Sequence, residues 1–295
     1  MRDGRQTMLT TWAFLALTAT TAPAALALPL AEPWQALNLV ADTDDMITAS
    51  GVSFSSTVAL NNCSGSLVRF AISKDDDKAL ILTNGHCFEG GFITAGQAIA
   101  NRDSNRTFNL LNRNASGFLG TLRAEKVVYA TMTNTDVTIY RLTTTYRDIE
   151  TSYGVQPLTI ADQHPTQGAP IRIVSGYWRR IYSCTIDRFV NKLQEGTWTF
   201  RDSILFTQPG CNTIGGTSGS PLINADTHEV IGINNTANDG GKNCSINNPC
   251  EIDAEGHVTA TRGAAYGQET YQFNACWADG NQLDLNMPGC TLLKP

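Results

Sequence analysis

Gly215-Gly216-Thr217-Ser218-Gly219-Ser220-Pro221-Leu222 is a run of small residues wrapped around one serine, and its surroundings decide the fold. An α/β-hydrolase elbow would read Gly-x-Ser-x-Gly and run straight into a helix. Here Ser220 stands where the second glycine would be, and no helical periodicity follows. The chain on either side is instead a series of short apolar runs rich in β-branched and aromatic residues. Ser66-Leu-Val-Arg-Phe70, Ala79-Leu-Ile-Leu-Thr83, Lys126-Val-Val-Tyr-Ala130 and Val137-Thr-Ile-Tyr-Arg-Leu142 precede the serine at a distance. Ile171-Arg-Ile-Val174, Ile204-Leu-Phe-Thr207 and Glu229-Val-Ile-Gly-Ile233 lie closer to it. Turn residues separate these runs, and no stretch holds three turns of 3.6-residue periodicity, so the chain reads as all-β, a sandwich or a barrel. The charged run Lys74-Asp-Asp-Asp-Lys78 falls between two of the strands and reads as a solvated hairpin turn.

A serine hydroxyl is a poor nucleophile at neutral pH. It needs an imidazole to take its proton, and the imidazole needs a carboxylate to fix its tautomer and orientation. The chain has four histidines: His86, His164, His228 and His257. His164 precedes Pro165 in a polar connection, His228 follows the turn Asn224-Ala-Asp-Thr227, and His257 sits in the polar run after Asp253. Only His86 closes an apolar strand, in Leu82-Thr-Asn-Gly-His86-Cys87. The candidate carboxylate is Asp136, which opens the strand Val137–Leu142. A tetrahedral intermediate also needs backbone N–H donors about 3 Å from its oxyanion. Gly216 and Ser218 can supply them, because Gly215 and Gly216 carry no side chain to block the turn. The chain order is therefore His86, Asp136, Ser218.

Four segments resemble the secreted chymotrypsin-like serine proteases, of the bacterial-type branch that includes glutamyl endopeptidases. They are Cys63-Ser-Gly-Ser-Leu-Val68, Leu82-Thr-Asn-Gly-His-Cys87, Asp136-Val-Thr-Ile-Tyr-Arg-Leu142 and Thr213-Ile-Gly-Gly-Thr-Ser-Gly-Ser-Pro-Leu222. The resemblance spans roughly residues 51–270. It implies two six-stranded antiparallel Greek-key β-barrels with an active site in the cleft between them, and a serine endopeptidase acting through an acyl-enzyme. In that reading His86 is the general base, Asp136 orients it, and Ser218 is the nucleophile. The alternatives are an esterase using the same three residues and an inactive homologue serving as a binding module. The resemblance also places Asn212 and Thr213 at the base of the primary specificity pocket and Asn234 where glutamyl endopeptidases carry a histidine. A neutral, polar-lined pocket preferring uncharged side chains follows, unless Asp239 reaches it. Asn84-Gly85 and Thr217 depart from the residues usual in animal trypsins. Because Thr217 offers no carboxylate to a buried N-terminal ammonium, a trypsin-type activation switch is not expected.

Composition bounds the rest. Apolar residues make up 42% of the 295 and charged residues 16%, which suits a globular core and not long disorder. The net charge of −6 lacks the basic excess of a general nucleic-acid binder. Arg2 and Arg5, the apolar run Met8–Leu17 and Ala25-Leu26-Ala27 read as a signal peptide over residues 1–27. A secreted chain, extracellular or periplasmic, is expected, with no membrane association after cleavage. Export makes disulfides the default reading of the eight cysteines. The resemblance pairs Cys63 with Cys87. Cys184–Cys211, Cys244–Cys250 and Cys276–Cys290 complete a sequential set, one of 105 connectivities. Cys244 and Cys250 are too far apart for a zinc Cys-x2-4-Cys pair, so no metal and no cofactor is expected. The expected organisation is an arm or pro-segment at 28–50, a first barrel at 51–155, a second at 156–270 and a disulfide-closed extension at 271–295. The partners expected are protein or peptide substrates of a monomer. Asn105 and Asn114 lie in Asn-x-Ser/Thr motifs, which matter only in a glycosylating host.

Overall fold

The structure, a computed structural model, describes residues 51–295; the expected signal segment and the arm at 28–50 lie outside the described residues. The first sheet comprises β1 (Thr57–Ala59), β2 (Ser64–Arg69), β3 (Lys78–Thr83), β4 (Ala98–Asp103), β5 (Thr107–Leu111), β6 (Phe118–Thr131) and β7 (Val137–Thr145). Its path runs β1-β5-β6-β7-β3-β2, and antiparallel pairing of β1 with β2 closes six strands into a barrel. The length of β6 lets it serve two neighbours: its first half pairs β5 and its second half pairs β4. The interior is apolar. Leu67, Ile81, Phe108, Leu110 and Tyr140 are fully buried in one cluster. Each such side chain contributes about 1.5–3 kcal/mol by leaving water.

After β7 the chain forms an eight-residue helix, α1 (Tyr146–Tyr153), which the strand-dominated sequence reading did not include. Its signals are local. The Thr145 side chain accepts from the Asp148 N–H, the Asp148 carboxylate accepts from the Thr145 N–H, and Gly154 ends the helix at φ 67°. Two turns are too short to show a periodicity in sequence. The connection continues through β8 (Leu158–Thr159), which adds in parallel to β2.

The second sheet comprises β9 (Pro170–Ser175), β10 (Arg180–Glu195), β11 (Trp198–Phe206), β12 (Pro221–Asn224), β13 (Val230–Ala237), β14 (Cys250–Ile252), β15 (Val258–Thr259) and β16 (Ala265–Glu269). The path β11-β16-β13-β12-β9-β10 is closed by the β10–β11 pairing, giving a second six-stranded antiparallel barrel. Ile171, Ile173, Ile204, Phe206 and Leu222 fill it. The hairpin β10–β11 is long, pairing from Ile186↔Phe206 out to Glu195↔Trp198. Its far end runs beyond the stretches that pair β9 and β16, packs Leu193 and Phe200 into the apolar cluster of the first barrel, and is flanked by β14 and β15.

Four disulfides join Cys63–Cys87, Cys184–Cys211, Cys244–Cys250 and Cys276–Cys290, and no described cysteine is free. Residues 271–295 form a short 3-10 helix (Tyr271–Cys276) and the small hairpin β17 (Trp277–Ala278) and β18 (Gln282–Leu283). This tail packs on the first barrel. Trp277 stacks on Phe70 at 4.4 Å, and the Tyr129 hydroxyl donates to the Leu293 carbonyl at 2.9 Å. The Asn281 amide donates to the Lys78 carbonyl at 2.9 Å. Phe273, Trp277 and Leu292 join an apolar cluster with Val68, Leu80, Val230 and Ile233 from both barrels. No helix among the described residues is long and apolar enough to cross a membrane.

Candidate active site

His86 sits in a single 3-10 turn, Gly85–Cys87, that follows β3. The Cys63–Cys87 disulfide anchors the turn to the start of β2. Asp136 immediately precedes β7, the neighbour of β3, so the register of these strands sets their approach. The Asp136 carboxylate accepts twice from His86: Oδ2 from ring Nδ1 at 2.6 Å and Oδ1 from the backbone N–H at 2.9 Å. A carboxylate acceptor fixes the proton on Nδ1 and leaves Nε2 as the basic nitrogen.

Asn84 and Gly85, two of the three departures from the animal-trypsin pattern, both serve this geometry. The Asn84 amide donates to the Asp136 carbonyl at 2.9 Å. A Cβ on Gly85 would lie 2.0 Å from the Thr131 carbonyl oxygen and 2.7 Å from Asp136 Oδ1, so any side chain there would push the carboxylate away. Asp136 is 1% exposed. Burial by itself would lower the His86 pKa; the charge and hydrogen bond of Asp136, with a smaller contribution from Glu195, outweigh it and leave the pKa raised.

Ser218 lies on the turn before β12 and lines the same cavity as His86 and Asp136. Its hydroxyl donates to the Asn235 carbonyl at 3.3 Å. Three backbone bonds lock the turn: Gly219 N–H to Asn234 O at 2.9 Å, Asn234 N–H to Ser220 O at 2.8 Å, and Ser64 N–H to Ser218 O at 2.8 Å. The last of these ties the serine to the first barrel. Gly216 adopts φ 90°, and a Cβ there would meet the Tyr177 ring at 2.8 Å. Trp178 Nε1 donates to the Gly215 carbonyl at 2.7 Å, and the Ser64 hydroxyl to the Gly216 carbonyl at 3.2 Å. With these carbonyls engaged, neither the Gly216 nor the Ser218 N–H donates to any group of the described residues. Thr217 is fully buried, its hydroxyl 3.4 Å from the Tyr182 hydroxyl.

The cavity draws its walls from both barrels. Thr213 and Asn234 line it, and Asp239 reaches it. Asn212 is exposed and does not line it. The walls are more apolar and more acidic than the expected neutral, polar pocket: Phe92, Met132, Trp198, Phe200 and Ile246 contribute, together with Glu195. Glu195 is the residue sequence reasoning missed. It ends β10, and only the length of the β10–β11 hairpin brings it over the cleft, so no local pattern marks it. Burial raises its pKa; a hydrogen bond from the Asn247 N–H, one from Thr236 and the His86 charge oppose this. Asn234 Oδ1 and both side-chain polar atoms of Asn235 are buried without a hydrogen-bond partner. Among the lining residues there is no Lys or Arg.

Two closed antiparallel barrels, with histidine and aspartate on one, serine on the other and a cleft between, define the class of trypsin-like β-barrel peptidases. Residues 63–233 match the family model of the trypsin-like peptidase domain, and the chain belongs to that family as a serine-type endopeptidase. No curated protein matches the chain. Among solved structures, the inactive form of the Rv3671c protease is 18% identical at a TM-score of 0.44, with 81% of this chain and 91% of that one covered. A Glu endopeptidase solved with MPD is 14% identical, TM-score 0.42, covering 73% and 85% of the two chains. The MamO protease domain from Magnetospirillum magneticum is 13% identical, TM-score 0.44, covering 72% and 91%.

Proposed function

We propose that the chain hydrolyses peptide bonds through Ser218, His86 and Asp136 by way of an acyl-enzyme. The observation that carries this is the His86 Nδ1–Asp136 Oδ2 hydrogen bond of 2.6 Å, made to a buried carboxylate within the cavity that Ser218 also lines. Asp136 holds the imidazole with Nε2 as the free base. His86 takes the Ser218 proton as Oγ attacks the carbonyl carbon, then returns it to the leaving amine. The Gly216 and Ser218 amides, unengaged by the described residues, receive the oxyanion. In the present state the Ser218 hydroxyl is held by the Asn235 carbonyl, and substrate binding redirects it to His86; such contacts are often loose before substrate arrives.

The substrates are peptides or proteins. Glu195 and Asp239 in a cleft with no lysine or arginine disfavour acidic substrate side chains, unlike a glutamyl endopeptidase. Thr213, Asn234, Asn235 and Thr236 are neutral polar residues of the cavity wall. We further propose that the protein is secreted after removal of residues 1–27 and works as a monomer. Four disulfides fit an oxidising compartment. The test is labelling by a fluorophosphonate probe together with cleavage of a peptide library. Ser218→Ala is expected to abolish labelling, and Ser218→Ala or His86→Ala to lower turnover on the order of 10⁴-fold or more with the fold intact. Wild-type turnover in Ser218→Ala overturns the assignment; ester cleavage without peptide cleavage turns the reading to an esterase.

A further inference from the structure

On the second barrel, away from the cleft-lining residues, three side chains from separate segments converge. His164 comes from the connection between β8 and β9, Asp202 from β11 and Glu269 from the end of β16. His164 Nε2 lies 3.1 Å from Glu269 Oε1 and 3.6 Å from Asp202 Oδ2, and one ligand atom from each residue lies within 4.8 Å of the others.

The protonation pattern makes the contact informative. His164 Nδ1 is 2.7 Å from the Pro165 carbonyl oxygen, which can only accept, so Nδ1 carries the proton. In the neutral ring Nε2 then presents a lone pair to the Glu269 carboxylate. Glu269 is 1% exposed, and neither of its oxygens has a hydrogen-bond donor among the described residues. A lone pair facing a buried carboxylate oxygen at 3.1 Å needs a proton or a cation between them. The imidazole is held in place by edge contacts with Phe189 at 4.4 Å and Tyr271 at 5.2 Å.

We propose that His164, Asp202 and Glu269 form a binding site for a divalent transition-metal ion of the zinc class. One imidazole and two carboxylates are a zinc-type donor set, and an imidazole whose other N–H is held by a backbone carbonyl is the usual arrangement of a metal-bound histidine. Metal–ligand bonds of about 2.0–2.2 Å in a tetrahedron place ligand atoms about 3.3–3.6 Å apart. The separations of 3.1 and 3.6 Å bracket that range. Calcium needs 6–8 oxygen ligands and is disfavoured. The side chains of His164 and Asp202 are 41% and 45% exposed, so the ion has a path in and room for a water as fourth ligand. Bound there, it clamps the connection between the barrels to β11 and to the strand that leads into the C-terminal tail.

The experiment is calorimetric titration of chelator-treated full-length protein with ZnCl₂ and, separately, CaCl₂, alongside thermal melts. One Zn²⁺ per chain is expected, and a rise in Tm of about 5–10 °C at a hundredfold excess over Kd. His164→Gln and Asp202→Asn, both at half-exposed positions, are expected to weaken Zn²⁺ binding at least tenfold and to remove the Tm rise; His257→Gln, in the separate and fully exposed cluster with Asp253 and Glu255, is expected to change neither. Glu269→Gln is expected to bind no Zn²⁺ but to melt higher than the metal-free wild type, since it removes an unpaired buried acid. No stoichiometric Zn²⁺ binding, preference for Ca²⁺, or binding untouched by His164→Gln overturns the proposal and leaves the cluster as a protonated His164–Glu269 pair.

Discussion

Gly219→Ala tests how the turn that carries Ser218 is seated on the first barrel. Gly219 has φ 78°, a conformation that costs a residue with a Cβ about 1–2 kcal/mol. The space is also closed. An added Cβ would stand 2.2 Å from the Ser64 carbonyl oxygen and 2.1 Å from Thr83 Oγ1, whereas ordinary contact begins at 3.4 Å. Rotating Thr83 brings little relief, because its hydroxyl is itself bonded to the Ser64 carbonyl at 2.7 Å. The two segments must separate by about 1 Å, and the Ser64 N–H to Ser218 O bond at 2.8 Å is the first to go. Losing it costs about 1 kcal/mol and the crowding about 1–3 kcal/mol. With the backbone strain, the expected destabilisation is about 3–6 kcal/mol. For a chain of this size that is a Tm lower by about 6–20 °C, measured by calorimetry on the Ser218→Ala background to prevent self-digestion. Gly215→Ala is the control. No atom lies within 4 Å of its added Cβ and its φ is not positive, so its Tm should stay within a few degrees of the parent. Equal melting of the two variants would refute the close seating of the turn on β2.

Four further outcomes are expected. Because Asp136 and Glu195 raise the His86 pKa and the neutral imidazole is the base in the proposed mechanism, the acidic limb of kcat/KM should lie above the ordinary imidazole value of about 6.5. Glu195→Gln should move it to lower pH; an unmoved limb would separate Glu195 from the imidazole. The same raised pKa stabilises the fold below about pH 6.5, a contribution lost as pH rises through the folded value, and urea titrations of wild type and His86→Ala across pH 5–9 read it. Replacing Cys63 and Cys87 together by alanine opens a crosslink with a sequence separation of 24, worth about 3 kcal/mol by loop entropy, and urea denaturation should show a loss of that order. Turnover should be insensitive to the exact N-terminus among chains starting at several positions between 28 and 52, because buried Thr217 faces a tyrosine hydroxyl and offers an ammonium no carboxylate. A sharp dependence on one free N-terminus would show that an ion-pair switch operates after all.

Much of this protein is written locally. Alternating β-branched runs specify strands wherever one face is buried. Small residues around Ser218 and the glycine before His86 mark places where backbone must pass close to backbone or to a carboxylate. These are short-range demands on side-chain size and φ, so they survive as readable motifs. The helix Tyr146–Tyr153 was legible in principle through its capping pair Thr145 and Asp148, but two turns carry too little periodicity to stand out among strands. Barrel closure, the 2.6 Å meeting of His86 and Asp136, and the seating of the C-terminal tail on Phe70 are different in kind. They depend on strand register and sheet twist summed over many residues. Glu195 reaches the cleft only because β10 and β11 pair beyond the barrel body, and His164 meets Glu269 only because a connecting segment passes the end of β16. Nothing in their neighbours' identities marks either residue. Sequence alone determined the strands, the turn chemistry and the three candidate residues; tertiary structure alone decided which charges share a cavity, because charges far apart along the chain come within a few ångströms only after the barrels have closed.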